Sequence, residues 1–176
     1  LTAAAAEMRE RRDELSALCT RENAKSWRDA DADVCEAIDF MEFYARKAVT
    51  LFKPRRLGKF IGEMDEIWYQ PRGVAAVISP WNFPIAICTG MTTAALVTGN
   101  TVVVKPAEQT PAIAKEMCEI LWRAFETQFG GGSALKTADG STVGARDVLH
   151  FCPGPGEETG SALVRDDRVA LIAFTG

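Results

Sequence analysis

Asn82 lies in the run Ser79-Pro80-Trp81-Asn82-Phe83-Pro84, and a carboxamide there has two uses. It can cap the helix that Pro84 opens, the commoner fate of an Asn just before a helix, or it can donate to an oxygen that gains negative charge during a reaction. Spacing alone leaves both open. The other reactive types are Cys19, Cys35, Cys88, Cys118, Cys152 and a single histidine, His150. The cysteines show neither C-x-x-C spacing nor a neighbouring His, so no metal site is expected and reduced, mostly buried thiols are. Cys88 follows the turn most closely, but its apolar helical setting marks an inert thiol. His150 falls in an expected strand and reads as structural.

The elements around Asn82 define a strand-to-helix turn. Val74 to Ile78 is a short apolar run of strand formers, and Ile85-Ala86-Ile87-Cys88 after Pro84 reads as the first turn of a buried helix. Such turns lie at the carboxyl ends of strands in open α/β sheets, where ligands bind and helix N-termini offer free N–H groups. Gly99-Asn100 stops that helix, and Thr101 to Val104 is a second strand feeding the loop from Lys105 to Gln109. Thr110-Pro111 predicts an N-cap and a helix with Ile113, Met117, Leu121 and Ala124 on its buried face. Residues 127–147, with Gly130-Gly131-Gly132 and Ala138 to Ser141, predict a long exposed insertion. Strands at Val148–Phe151 and Val169–Phe174 follow, joined through Pro153 to Gly156 and a short helix over Glu157–Val164.

Upstream, residues 3–19 and 34–52 predict two amphipathic helices with a polar linker from Thr20 to Asp33. Ile67 to Tyr69 and Val74 to Ile78, separated by Gln70-Pro71-Arg72-Gly73, predict a hairpin. The expected organisation is N-terminal helices over 1–58, a hairpin over 59–73 and a cofactor-binding unit over 74–176. The fold class is α/β, with a Rossmann-like, doubly wound parallel sheet and right-handed crossovers.

Composition narrows the function classes. A chain of 176 residues with 47% hydrophobic and 25% charged residues is that of an ordinary globular lobe. A net charge of -4 with both signs interspersed argues against nucleic acid as the main partner. Thr89, Gly90, Thr92, Thr93, Thr98 and Gly99 interrupt the best apolar stretch, so no membrane span is expected. The odd number of cysteines, read as reduced thiols, predicts a cytoplasmic location. The sequence lacks an initiator Met and ends two residues past a core strand, so a piece of a longer protein is expected.

Ser79 to Pro84, Gly99 to Glu108 and Phe174-Thr175-Gly176 together resemble the aldehyde dehydrogenase superfamily. Within it, Asp39 to Arg46 and the run from Trp81 to Pro111 most resemble the L-glutamate γ-semialdehyde (1-pyrroline-5-carboxylate) dehydrogenases. That group includes forms fused to a flavin-dependent proline dehydrogenase domain. The resemblance implies that a cysteine thiolate attacks an aldehyde, hydride passes to NAD+ and water releases the acid, here L-glutamate. It makes Asn82 an oxyanion-hole donor. Lys105 and Glu108 would hold the adenosine ribose, and a carboxylate there would repel a 2′-phosphate, favouring NAD over NADP. Their plainer reading is an exposed ion pair.

Ile78, Ser79, Pro80 and Trp81 would border the nicotinamide half, and Gly154 and Gly160 would allow close approach near the adenine. Thr175 and Gly176 resemble the start of a turn whose following helix receives the pyrophosphate. Phe83 matches an aromatic position near the aldehyde path. None of the five cysteines matches the family's nucleophile, and its general-base Glu is also missing, so these residues alone are expected to be inactive. Family resemblance further implies a homo-oligomer built on the hairpin. The competing readings are another aldehyde dehydrogenase, or a nucleotide-binding module without catalysis.

Overall fold

The computed structural model describes residues 1–129, 135–137 and 139–176. The chain opens with α1 (Thr2–Glu10) and α2 (Arg12–Asn23). The single helix expected over 3–19 is broken because Arg11 leaves helical geometry (φ -96°, ψ 15°), and its guanidinium reaches Glu116 at 2.9 Å. The expected linker shrinks to Ala24–Ser26. Ser26 Oγ accepts from the Asp29 N–H, and helix α3 (Trp27–Leu51) begins there and buries Ala30, Asp33, Val34, Ala37, Ile38 and Met41.

Strands β1 (Arg55–Arg56) and β2 (Glu66–Ile67) form a short antiparallel pair, earlier in the chain than the hairpin expected between Ile67 and Ile78. The difference has a packing cause. Strand β3 (Val74–Ile78) is taken by the central sheet, where it has a parallel neighbour on each side. The turn before β3 is instead tied to the end of the next helix, because Asn100 Oδ1 accepts from the Arg72 and Gly73 N–H groups at 2.7 and 3.1 Å.

From β3 the chain alternates. Helix α4 (Ala86–Val97) is followed by Gly99 at φ +83°, the left-handed stop expected of it, and by β4 (Thr101–Lys105). Helix α5 (Pro111–Phe129) begins at the expected proline, with a different cap. The Thr110 hydroxyl, buried, has no partner among the described residues, whereas Glu22 of α2 accepts from the Ala112 and Ile113 N–H groups at 2.6 and 2.9 Å. A carboxylate across that end satisfies two of its free donors and complements the helix dipole.

Of the insertion expected at 127–147, Gly130, Gly131, Gly132 and Ala138 lie outside the described residues. Strands β5 (Leu135–Lys136) and β6 (Thr142–Val143) pair antiparallel, and helix α6 (Ala145–Val148) leads into β7 (Leu149–Phe151). A wide π-type turn over Gly156–Gly160 and helix α7 (Ser161–Arg165) replace the single helix expected there, and β8 (Val169–Phe174) closes the described fold.

The four long strands form one parallel sheet in the order β7-β4-β3-β8. The first two crossovers step one way from β3 and the third returns past it, so right-handed connections set α7 on the face opposite α4 and α5. This is the expected doubly wound α/β arrangement. Its direction reverses between β3 and β8, the place where open α/β sheets bind ligands. Among the described residues no helix is long and apolar enough to cross a membrane.

Candidate functional site

The carboxyl ends of the sheet strands are stitched together. Ser79 N–H donates to the Lys105 carbonyl, Cys152 N–H to the Val104 carbonyl and Thr175 N–H to the Ile78 carbonyl, at 3.2, 2.8 and 3.2 Å. A cleft of about 620 Å³ opens above these ends. Ile78, Ser79 and Pro80 from the end of β3, Lys105 and Glu108 from the end of β4, and Thr175 and Gly176 from the end of β8 all line it. Seven of the residues expected at a cofactor site therefore share one concavity at the switch point.

Lys105 and Glu108 do not form the exposed ion pair considered from sequence. Lys105 is 4% exposed, and among the described residues its Nζ has neither a carboxylate partner nor a hydrogen-bond acceptor. Glu108 is exposed, with Oε2 accepting from the Gly156 N–H at 3.1 Å. A methyl group at Gly156 would sit 3.9 Å from Lys105 Nζ. One ammonium, at the tip of an otherwise buried side chain, and one oriented carboxylate thus meet beside Gly156. That donor and acceptor suit a vicinal diol.

Gly154 and Gly160 do not line the cleft. A Cβ at Gly154 would come within 2.0 Å of Thr159 Oγ1, so the missing side chain lets the π-type turn fold back on itself. Gly160 is buried with open space where its Cβ would point. Gly156, passed over in the sequence reading, is the glycine of this turn that meets the cleft, beside Pro155, Glu157 and Glu158. The signal was available, since Pro153-Gly154-Pro155-Gly156 follows a strand end. What spacing could not show was which glycine faces inward.

Trp81, Asn82 and Phe83 lie beyond the cleft in the turn before α4, and all three are exposed. Asn82 does not cap the helix, because no side chain of the turn bonds to the α4 N-terminus. Its Oδ1 accepts from the Phe83 N–H at 3.1 Å, while its Nδ2 has no acceptor among the described residues. The capping is done from α3, where Asp33 Oδ1 accepts from the Ala86 N–H at 3.0 Å. Asp33 is 1% exposed, and burial holds its carboxyl above the usual aspartate range, an effect that Lys25 and the Ala86 N–H only partly offset. Sequence reasoning missed Asp33 because the two residues are 53 positions apart.

Burial pushes the Cys88 thiol up to about 11, with the Ser79 and Thr92 hydroxyls lowering it only in part, and pushes Cys118 up further still. Cys19 is raised to about 12, chiefly by burial. None of these three is poised as a thiolate nucleophile. His150 stands on β7, paired in register with Val103 of β4 and away from the cleft lining.

All of residues 1–176 match the aldehyde dehydrogenase family. The chain is 46% identical over 173 residues to 1-pyrroline-5-carboxylate dehydrogenase of Anoxybacillus flavithermus, a match that covers 98% of this chain and 30% of that protein. The crystal structure of proline utilization A (PutA) from Bdellovibrio bacteriovorus, inactivated by N-propargylglycine, superposes with a TM-score of 0.86 at 42% identity. It covers 99% of this chain and 16% of that one. The 1-pyrroline-5-carboxylate dehydrogenase from Thermus with bound NAD superposes with a TM-score of 0.82 at 40% identity, over 97% of this chain and 30% of that one. The chain thus spans less than a third of the relatives it matches.

Proposed function

The chain belongs to the aldehyde dehydrogenase family, and from that premise we propose that it forms the N-terminal part of the cofactor lobe of an NAD-dependent dehydrogenase. The substrate we assign is L-glutamate γ-semialdehyde, derived from 1-pyrroline-5-carboxylate and oxidised to L-glutamate in proline breakdown. The 46% identity to a protein of that name supports the substrate, and the match to proline utilization A supports a version fused to a proline dehydrogenase domain. A cytoplasmic location fits this metabolism.

The observation that carries the cofactor assignment is the pairing of buried Lys105 with oriented Glu108 over Gly156. Lys105 Nζ donates to one ribose hydroxyl, and the Glu108 oxygen not engaged by Gly156 accepts from the other. Glu157 and Glu158 beside it add negative charge, which disfavours a 2′-phosphate and so favours NAD. Bound NAD+ supplies the hydride acceptor. Ile78, Ser79 and Pro80 border its nicotinamide end, with Trp81 just past them in the turn, and Thr175 and Gly176 begin the turn toward the pyrophosphate. Gly154 serves one step back, closing the turn that presents Gly156.

Asn82 supplies the carboxamide donor to the aldehyde oxygen as that oxygen gains charge, a contact worth about 3–4 kcal/mol in comparable sites. Phe83 lines the approach of the aldehyde. None of the five cysteines lines the cleft, and the family's nucleophile and general-base Glu have no match in this sequence, so we assign both to parts of the protein that this chain does not span. These 176 residues by themselves therefore turn over no aldehyde and bind NAD+ weakly. Leu57, Phe60, Ile61 and Met64 are exposed on and around the β1–β2 hairpin, which supports a contact there with a second copy in the whole protein.

The test is NADH formation by the intact gene product carrying this chain, with 1-pyrroline-5-carboxylate and a panel of simple aldehydes as substrates. Turnover fastest with the semialdehyde supports the assignment. Preference for another aldehyde overturns the substrate, and no turnover with any of them overturns the dehydrogenase. Sedimentation of the same protein across a concentration series reads the self-contact, which a concentration-independent monomer mass would exclude.

A further inference from the structure

The turn that carries Asn82 is held from outside itself, by three side chains at the α2–α3 junction. Asn23 Nδ2 donates to the Trp81 carbonyl at 3.1 Å. Lys25 Nζ lies 4.1 Å from the Phe83 ring centroid, over its face, and 2.9 Å from Asp33 Oδ2. Asp33 spends its other oxygen on the Ala86 N–H at 3.0 Å, and the Ile85 N–H lies beside it. Three successive parts of one short turn, the Trp81 carbonyl, the Phe83 ring and the first N–H groups of α4, are therefore gripped by residues fifty or more positions earlier.

We propose that Lys25 and Asp33, with Asn23, are positioning residues that fix the 81–86 turn and so hold the Asn82 carboxamide where an oxyanion would form. Asn82 is exposed and its Oδ1 bonds only to the next N–H, so nothing in its own side chain anchors it to the sheet. Its orientation is inherited from the backbone on either side. That backbone is pinned at Trp81 by a carbonyl contact, at Phe83 by a cation over the ring and at Ala86 by a carboxylate. The Lys25 side chain is 13% exposed and that of Asp33 is 0% exposed, so the pair acts in a partly dehydrated setting where removing one member leaves the other charge uncompensated. A preorganised donor is worth more than a mobile one, because it does not reorient as charge develops.

This inference rests on the oxyanion role proposed for Asn82, so its test has a readout independent of activity. Amide hydrogen exchange on the 176-residue chain compares Phe83, Ala86 and Ile87 with Ile120 inside α5. Two variants suffice. Lys25→Met keeps the length of the stem and removes the cation, and Asn23→Asp keeps the oxygen but removes the donor to Trp81. The expected result is exchange in the turn at least tenfold faster in each variant, with Ile120 unchanged. Wild-type exchange in the turn overturns the proposal. Equal acceleration in the turn and in α5 overturns it too, since the junction would then support the whole fold and not the turn. In the intact gene product the same variants are expected to lower kcat by about tenfold with KM for NAD+ within twofold, and Lys25→Arg to restore most of it. Loosened exchange without loss of kcat would show that the turn is held as described but that Asn82 is not the oxyanion donor.

Discussion

Glu108 and Gly156 are joined across the cleft by a 3.1 Å hydrogen bond, carboxylate oxygen to backbone N–H, although 48 positions separate them. The bond ties the loop after β4 to the turn after β7 and leaves one carboxylate oxygen free. Glu108→Gln keeps an acceptor for Gly156 and removes the charge. In the intact gene product we expect the ratio of kcat/KM for NADP+ over NAD+ to rise by about tenfold, roughly 1.4 kcal/mol, measured by NADPH and NADH absorbance. An unchanged ratio would mean that Glu108 does not face the ribose.

The cap on α5 makes a prediction about stability. Glu22→Ala strips acceptors from two N–H groups and should cost about 1–2 kcal/mol in urea unfolding of the chain. Thr110→Val, at the position where a sequence reader places the cap, removes a buried hydroxyl without a described partner and should change stability by less than about 0.5 kcal/mol. The reverse ranking would restore Thr110 as the cap.

Gly154→Ala forces a methyl group against Thr159 and should destabilise the chain by about 1–3 kcal/mol. Pairing it with Thr159→Ala removes the closest contact, so the double variant should lose less than the sum of the two singles. A thermal-melt double-mutant cycle reads this coupling, and strict additivity would refute the packing account.

Acid affects two sets of carboxylates in opposite senses. Glu14, Glu42, Glu119 and Asp31 are held below their usual range by Arg11, Arg9, Lys115 and Arg12 respectively. Their contribution is complete above the ordinary values of about 4 and is lost as pH falls through the lowered ones. Asp33 is raised, so the folded chain takes up its proton first, and its contribution to stability grows as pH falls from the raised value toward about 4. Urea unfolding over a pH series should show stability falling below pH about 4, and Asp33→Asn should abolish the favourable trend above it. A wild-type and variant pair with parallel curves would remove Asp33 from the account.

What could be read in advance divides by range. Strands β3, β4, β7 and β8 were legible from apolar runs bounded by Gly and Pro, and Gly99 from the need for a positive φ, because each is a local demand. The cleft residues Ile78, Ser79, Pro80, Lys105, Glu108, Thr175 and Gly176 were legible through the family resemblance, and their places at strand ends are why they converge. The caps were not. Asn82 and Thr110 sit where local chemistry expects a cap, yet Asp33 and Glu22 do the work from distant helices. No periodicity encodes a contact between residue 22 and residue 113. The hairpin was misplaced for a related reason, since Val74 to Ile78 suits an antiparallel partner just as well until β4 and β8 claim both its edges.

The distance between Glu22 and its partners also has a consequence in time. Residues 112 and 113 leave the ribosome 90 or more positions after the carboxylate that will cap them. At 5–20 residues per second that delay is roughly 5 to 20 s. During it α1 and α2 can pack on α3, and α3 on α4, but the faces of α1 and α2 that meet α5 stay uncovered.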